Sequence, residues 1–316
     1  MPNILDIRRR IRSVTNTRQI TKAMKMVSAA KLRRAQERAL AARPYAQMLT
    51  NVLKSLVSRA EIYDPETGEP RHPLLARRPE QNILLAVVTG DKGLAGAFNA
   101  NILKAAIRFI ATKAGKNIEI ETVGRKGRDF LRRRYRTAEP GTVGSQAPGQ
   151  TTIIGEQIGI FNKIDYALAS ELAERVVERY AKEEIDSVYL VYNEFKSVIQ
   201  QRVVVEPLLP IPRGTFGPGA FEAADAAAPA LEDYIYEPDQ EALFAALLPK
   251  HVMIQVHRVL LESAAAEHGA RMTAMENATR NAGEMIDSLT LQMNKIRQAS
   301  ITKEILEVVS GAEALR

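Results

Sequence analysis

The stretch AQERALAARPYAQMLTNVLKSL at residues 35–56 predicts the structure of the first part of the chain. Its apolar residues recur in alternating steps of four and three, at Ala35, Ala39, Ala42, Ala46, Leu49, Leu53 and Leu56. This spacing is typical of the seam of a coiled coil rather than of the wider apolar face of a globular helix. Alanine in the middle of the seam predicts a partner helix at close approach, and Pro44 predicts a local kink because it lacks an N–H.

The same periodicity extends toward the first residue. Apolar side chains are expected to continue the stripe at Ile4, Ile7, Ile11, Val14, Ile20, Met24 and Val27, with a polar interruption over residues 15–18. We therefore predict one helix over residues 1–59, which would be roughly 85 Å long at about 1.5 Å per residue.

The C-terminal part, residues 239–316, is predicted to form the partner of this helix. Its apolar residues also step by threes and fours, at Met275, Ala278, Ala282, Met285, Leu289, Met293 and Ile296. Two long terminal helices that are joined through a domain between them must run antiparallel. The prediction is a long antiparallel α-helical coiled coil whose terminal helices form a rod.

The middle of the chain predicts a small Rossmann-like α/β domain. Residues 60–80 are a proline-containing connector, and residues 207–238 are a linker rich in Pro, Gly and Ala. Between them, over residues 81–206, predicted strands alternate with predicted helices, which favours a mostly parallel sheet with helices on both sides. The strands are expected at 83–89, 118–123, 151–154, 187–192 and 199–205, and the helices at 102–113, 127–135 and 163–182.

Composition excludes several classes of protein. Apolar residues make up 46% and charged residues 26% of the 316, and the chain has no cysteine, so it carries neither disulfides nor thiolate chemistry. The longest apolar run, residues 242–248, is far shorter than the ~20 residues of a membrane-spanning helix. We predict no membrane span, and no secretory signal because Asp6 and the arginines at 8–10 interrupt the first apolar stretch.

Charge is distributed unevenly along the chain. The net charge is +7, but residues 1–59 alone hold 14 Lys and Arg against two acids, a net of +12. A solvated helix face, a nucleic acid, an anionic membrane, an import presequence and an acidic protein partner are each compatible with this bias. Base stacking has little support because Tyr45 is the only aromatic residue in the segment, and a presequence is disfavoured because the helical pattern continues well past 30 residues.

The sequence lacks a recognisable catalytic constellation. The glycine-rich loop GDKGLAGAFN at residues 90–99 follows a predicted strand, but its glycines are three apart and match neither common phosphate-binding spacing. We interpret it as a structural turn. The four histidines show no ligand spacing, and no serine has a recognisable base partner. The expectation is a chain with no catalytic, cofactor-binding or metal-binding residues.

Several motifs resemble one family. The segments ILDIRRRIRSVTNTRQITKAMKM at 4–26 and IRQASITKEILEVVSGAEAL at 296–315 are similar to the terminal helices of gamma subunits of the rotary F-type ATP synthase. The segments GDKGLAGAFN, YEPD at 236–239 and ARMTAMENAT at 270–279 match that family in order and spacing. The resemblance covers essentially the whole chain.

The resemblance implies a mechanical role. Gamma subunits form the central shaft of an alpha3beta3 hexamer, and their α/β domain meets the epsilon subunit and the ring of membrane c subunits. The resemblance implies that this chain transmits torque during ATP synthesis or hydrolysis, as a non-catalytic subunit of an ion-translocating complex. Its implied contacts with alpha and beta subunits are Lys22, Met24, Lys25, Arg297, Gln298 and Thr302, with Arg271, Glu304 and Lys92 as supporting positions.

Two other interpretations make different predictions. A basic coiled-coil protein that binds nucleic acid would show a steep dependence of DNA affinity on salt. An enzyme built on the α/β domain would bind ATP as the isolated chain. The resemblance favours neither. Because no presequence is predicted, we expect a peripheral complex on the cytoplasmic face of a bacterial plasma membrane rather than in an organelle, with no contact to nucleic acid.

Overall fold

The computed structural model describes residues 4–59, 70–138, 149–162, 164–198, 200–212 and 239–313. The helices are α1 (Ile4–Arg59), α2 (Phe98–Thr112), α3 (Arg125–Leu131), α4 (Tyr166–Ala181) and α5 (Gln240–Glu313). The strands are β1 (Asn82–Val88), β2 (Asn117–Val123), β3 (Arg136–Thr137), β4 (Thr151–Gln157), β5 (Ser187–Phe195) and β6 (Gln201–Leu209).

The chain forms two compact units. One contains the start of α1 and most of the second half of α5, within Met1–Ala30 and Arg271–Arg316. The other, Lys31–Ala270, contains the sheet, the remaining helices and the adjoining parts of α1 and α5. We call them the tip unit and the sheet unit.

The sheet has the strand order β3-β4-β2-β1-β5-β6. Every neighbouring pair is parallel except β5 and β6, which pair antiparallel at one edge. The predicted mixture of a mostly parallel α/β sheet with long terminal helices is confirmed.

The central strand β1 is buried on both faces, as its run of apolar residues predicts. Ile83, Leu85 and Val87 belong to one core cluster, which includes Ile102 of α2 and Leu131 of α3. The alternate residues Leu84 and Val88 belong to the other cluster, which includes Leu172 of α4. Parts of α1 and α5 join this second cluster through Leu53, Leu56, Leu248 and Val252. Helices therefore cover both faces of the sheet.

Several element boundaries differ from the sequence prediction. The expected linker start at 207 is wrong by three residues, because β6 continues to Leu209 and pairs Pro207 with Tyr189 beside a register shift. An edge strand tolerates a proline because one side of it needs no ladder donor. The two-residue strand β3 was not predicted, since it is too short to show a periodic pattern. Residues 60–69 of the connector and 213–238 of the linker lie outside the described residues.

The burial of His251 predicts that the protein loses stability in acid. It is 4% exposed in α5, and burial, with a smaller contribution from Arg258, lowers its pKa from 6.5 to about 4. Between these values the unfolded chain binds a proton that the folded chain excludes, so the free energy of unfolding falls as the pH is lowered from 6.5 to 4. We expect this group to account for about 3 kcal/mol of that fall.

Urea unfolding at pH 7 and pH 4 measures the effect. The variant His251→Gln should lose less stability than the wild type between the two pH values. Equal losses in the two proteins would contradict the assignment.

Candidate functional site

The tip unit is built from two antiparallel helices. Thr21 Oγ1 lies 2.7 Å from Thr279 Oγ1, and Lys25 Nζ donates to Glu276 Oε1 at 2.6 Å. A step forward along α1 therefore matches a step back along α5, which confirms the antiparallel pairing. Extrapolating this register places Ile4 opposite Ile296.

The predicted seam in the first part of α1 is wrong at two positions. Ile20 and Val27 are 59% and 56% exposed, whereas the neighbouring Thr21 and Ser28 are 8% and 3% exposed. The hydroxyls are satisfied inside the helix, since Thr21 donates to Arg18 O and Ser28 to Met24 O. Small hydroxyl residues thus occupy the seam, and the large apolar residues beside them face outward.

The seam on α5 deviates at one position. Met275 and Ala282 are buried as predicted, but Met285 is 54% exposed. Ile286, the next residue, is half-buried in its place. The steps of four and three continue through Ile286 to Leu289, so the coiled-coil pattern is unbroken in this part of the helix.

The nine predicted contact residues differ in accessibility. Lys22, Arg297, Gln298, Thr302, Glu304 and Lys92 are exposed, and Met24 and Lys25 are half-buried. Arg271 is 8% exposed, so it presents little surface to any partner chain. Lys92 lies in the sheet unit, whereas the other eight belong to the tip unit.

The structure separates the contact residues of the tip unit into two groups. Lys22, Met24 and Lys25 lie beside the part of α5 around Glu276. Arg297 is 21 positions farther along α5, which corresponds to about 32 Å of helix. Lys25 and Arg297 therefore do not lie opposite each other on the two helices.

The end of α5 exposes a broad apolar face. Each described residue from 301 to 312 is exposed, and the large apolar ones are Ile301 at 48%, Ile305 at 58%, Leu306 at 60%, Val308 at 73% and Val309 at 54%. We call Ile301–Val309 the apolar end. A broad apolar face that is exposed on an isolated chain marks this segment as one that a partner covers.

The glycine-rich loop connects the carboxyl ends of parallel strands through hydrogen bonds. Gly90 N donates to Asn99 Oδ1 at 2.9 Å, and Lys126 N donates to Gly90 O at 3.1 Å. Asp91 Oδ1 accepts from Arg125 N, which follows β2, and from Gly159 N, which follows β4. These bonds agree with the interpretation of the loop as a structural turn.

Helix α5 lies over this edge of the sheet, beside the point where strand order reverses between β1 and β5. A side chain added at Gly90 would meet Glu267 Oε1 at 2.7 Å, and one added at Gly269 would meet Gln201 and Phe195 at 3.1 and 3.3 Å. Open α/β sheets commonly bind nucleotides in the crevice at such a switch point. Here Glu267 lies against Gly90 at that position, which disfavours an enzyme built on the α/β domain.

A cluster of charged groups that was not predicted from the sequence links α5 to β5 and β6. Arg258 donates to both oxygens of Glu206, at 2.9 and 3.0 Å, and also to Glu262 and to Tyr192 Oη. Burial raises the pKa of Glu262, with Arg258 acting in the opposite direction. Arg258 and Tyr192 are 66 residues apart in sequence, so no local pattern predicts the cluster.

The pair Lys25–Glu276 makes a testable prediction. Both side chains are partly exposed, at 38% and 55%, so Lys25→Glu should destabilise the chain by about 0.5–1 kcal/mol, since it places two carboxylates together. The double variant Lys25→Glu/Glu276→Lys should recover most of that loss in thermal unfolding. The exposed neighbour Lys22→Glu is the control and should be nearly neutral. A double variant no more stable than Lys25→Glu would show that the two residues do not interact.

Known proteins match the chain over its whole length. The sequence model of the ATP synthase family matches residues 3–315. The ATP synthase gamma chain of Solibacter usitatus (strain Ellin6076) is 53% identical over 314 residues, with 99% of each chain covered. The ATP synthase gamma chain of Anaeromyxobacter sp. (strain Fw109-5) is 49% identical over 318 residues, with 100% of each covered.

Solved structures show the same fold. A chain from the central stalk and c-ring of the Tetrahymena thermophila mitochondrial ATP synthase matches with a TM-score of 0.58 and 26% identity, covering 82% of this chain and 99% of that one. A chain of the Euglena gracilis mitochondrial ATP synthase matches at 0.59 and 20% identity, over 99% and 94%. Within the described residues, no helix has an apolar stretch long enough to cross a membrane. Sequence and fold agree: the chain belongs to the ATP synthase gamma chain family.

Proposed function

We propose that the chain is the central rotary shaft of an F-type ATP synthase, which transmits torque between an ion-driven c-ring and a catalytic alpha3beta3 hexamer. The observation that carries the proposal, beside family membership, is the apolar end of α5. Burying its side chains in a surrounding partner is favourable by about 1.5–3 kcal/mol for each fully buried residue. A hexamer with a central opening supplies a surface that would cover this face.

The exposed basic residues of α1 support the same proposal. Arg8, Arg9, Arg10, Arg12 and Arg18 are all exposed, and only Asp6 offsets them in this part of the helix. Partner loops that carry acidic residues would be attracted to this face without a fixed set of bonds, because exposed ion pairs are individually weak. Weak individual pairs suit a surface that exchanges partners during rotation.

The two groups of contact residues fit two levels of such a shaft. Lys22, Met24 and Lys25 would meet alpha or beta loops at one level, and Arg297, Gln298, Thr302 and Glu304 at another about 30 Å away along α5. Arg271 would act inside the tip unit, since it is buried. Lys92 is exposed at the carboxyl edge of the sheet and would meet a separate partner loop.

The sheet unit would serve as the foot that meets the epsilon subunit and the c-ring. The solved relative from Tetrahymena thermophila belongs to a central stalk with its c-ring, which supports this assignment. The chain itself would catalyse no reaction, while the complete complex would act as an ion-translocating ATPase and synthase. The similar gamma chains are bacterial, which supports a peripheral location on the cytoplasmic face of the plasma membrane.

Reconstitution tests the proposal. The purified chain is mixed with alpha and beta subunits of a bacterial relative, and native mass and Mg-ATP hydrolysis are recorded. We expect one copy of the chain per three alpha and three beta, and faster hydrolysis than in the mixture without it. Failure to form a complex, or a complex with unchanged turnover, contradicts the shaft role and leads to a salt titration of DNA binding.

The contact residues require a coupling assay. In the complete complex, charge reversal at Lys25 and Arg297 together should reduce ions pumped per ATP hydrolysed. The stability-restoring variant Lys25→Glu/Glu276→Lys separates the two roles of Lys25, because it repairs the internal pair and still presents a carboxylate at position 25. Normal coupling in both variants would remove these positions from the proposed interface.

A further inference from the structure

A cavity of about 210 Å³ lies inside the sheet unit, between one face of the sheet and helices α4 and α5. Its lining is almost entirely apolar and includes Ala86, Leu190, Leu172, Val176, Val256 and Val259. Apolar cavities of about 150 Å³ remain dry and admit molecules as large as benzene. This cavity therefore has room for an apolar body of roughly six to eight carbons.

Polar groups line only one part of the cavity. Glu121 of β2 and two arginines of α4, Arg175 and Arg179, supply them. Arg179 is held by Glu119 at 2.6 Å and by Glu184 at 3.0 Å. Arg175, one helical turn earlier, is 48% exposed on its side chain, so the cavity reaches solvent beside it.

Arg175 keeps unused hydrogen-bonding capacity. Among the described residues its guanidinium donates only through Nη2, to Glu121 Oε1 at 3.5 Å, which is the long limit of a hydrogen bond. A guanidinium has five N–H donors in a planar fork that suits a carboxylate. A second acceptor can therefore bind Arg175 without displacing Glu121.

Glu121 makes only this long contact with the arginine. Its carboxylate packs over Gly155, where an added side chain would meet Oε2 at 1.9 Å. Its side chain is 14% exposed, and burial raises the pKa of Glu121, with Arg175 opposing the rise. The mouth of the cavity thus offers a guanidinium with remaining donors to a carboxylate, while the interior favours a hydrocarbon.

We propose that this cavity binds a small monocarboxylate with an apolar body of roughly six to eight carbons, whose carboxylate pairs with Arg175 while its hydrocarbon fills the space between the sheet, α4 and α5. The proposal concerns the sheet unit alone and does not depend on the shaft role.

Calorimetric titration of the purified full chain with octanoate and with 1-octanol tests the site. We expect saturable binding of one octanoate per chain and affinity about tenfold higher than for octanol, the effect of one added charge-assisted contact. The variant Arg175→Gln should remove this difference and leave octanol binding unchanged. Arg108→Gln, an exposed arginine on α2, is the matched control and should change neither affinity.

Variants that fill the cavity provide a second test of the proposed site. Ala86→Leu, or Val176→Met if the first variant does not fold, should abolish binding of both ligands without lowering the melting temperature. Lack of saturable octanoate binding, or undiminished binding in a folded filled variant, overturns the site. Equal affinities for octanoate and octanol in the wild type overturn the assignment of a carboxylate ligand.

Discussion

Gly124→Ala is expected to destabilise the sheet unit by more than about 4 kcal/mol, among the largest effects of a single substitution. Gly124 follows β2 with a φ of 95°, and a Cβ there would lie 2.0 Å from the backbone oxygen of Thr89. Relief requires the ends of β1 and β2 to separate, since Thr89 N donates to Val123 O and Gly124 N to Gln157 O. The loss of backbone bonds at this edge adds to the steric cost.

Gly115→Ala is the matched control for this variant. Gly115 has a nearly equal φ of 88°, but nothing lies within 4 Å of the position of its Cβ. It should cost about 1 kcal/mol, the penalty for a left-handed backbone at a residue with a side chain. Thermal unfolding of both variants separates backbone strain from collision. Similar melting temperatures for the two would show that the strand ends adjust without cost.

Ile305→Asp/Val308→Asp is expected to weaken assembly of the chain with alpha and beta subunits by tenfold or more, about 1.4 kcal/mol at least. Both side chains are more than half exposed in this chain, so their replacement should leave its own melting temperature nearly unchanged. In the proposed complex they would be buried, and two carboxylates would carry a desolvation cost. The expected pattern is normal folding with impaired assembly and reduced stimulation of ATP hydrolysis.

Lys303→Asp is the control for charge alone. It alters charge within the same turn of α5, where Lys303 is 78% exposed and pairs with Glu307, and it removes no large apolar side chain from the apolar end. Its effect on assembly should be much smaller. If the double aspartate variant assembled as tightly as the wild type, the apolar end would not be the buried segment.

Regular apolar patterns predicted the fold well. The run at 83–88 identified β1 because a strand buried on both faces must be apolar throughout. The seam from Ala35 to Leu56 was identified because its period matches a coiled coil, and the structure buries Leu49, Leu53 and Leu56. These predictions depend only on neighbours along the chain.

The sequence predictions were wrong or incomplete where the type of a residue does not reveal whether it is buried or which residues it contacts. Thr21 and Ser28 are polar residues, but in the helix each hydroxyl donates to a backbone carbonyl of the preceding turn. Because this bond satisfies the hydroxyl, the small side chain can be buried in the seam. Arg258 could not be assigned from sequence because its partners Glu206 and Tyr192 lie on distant strands. The resemblance suggested contact residues, but spacing alone did not show that Lys25 and Arg297 lie far apart along the shaft helices.

The carboxylate of Glu267 beside Gly90 has a consequence for selectivity. A nucleotide phosphate approaching the switch point of this sheet would find Glu267 against Gly90, in a place with no room for a single added carbon. The chain therefore keeps the architecture of a nucleotide-binding domain, while its own helix α5 occupies the crevice in which open sheets of this kind hold their ligand.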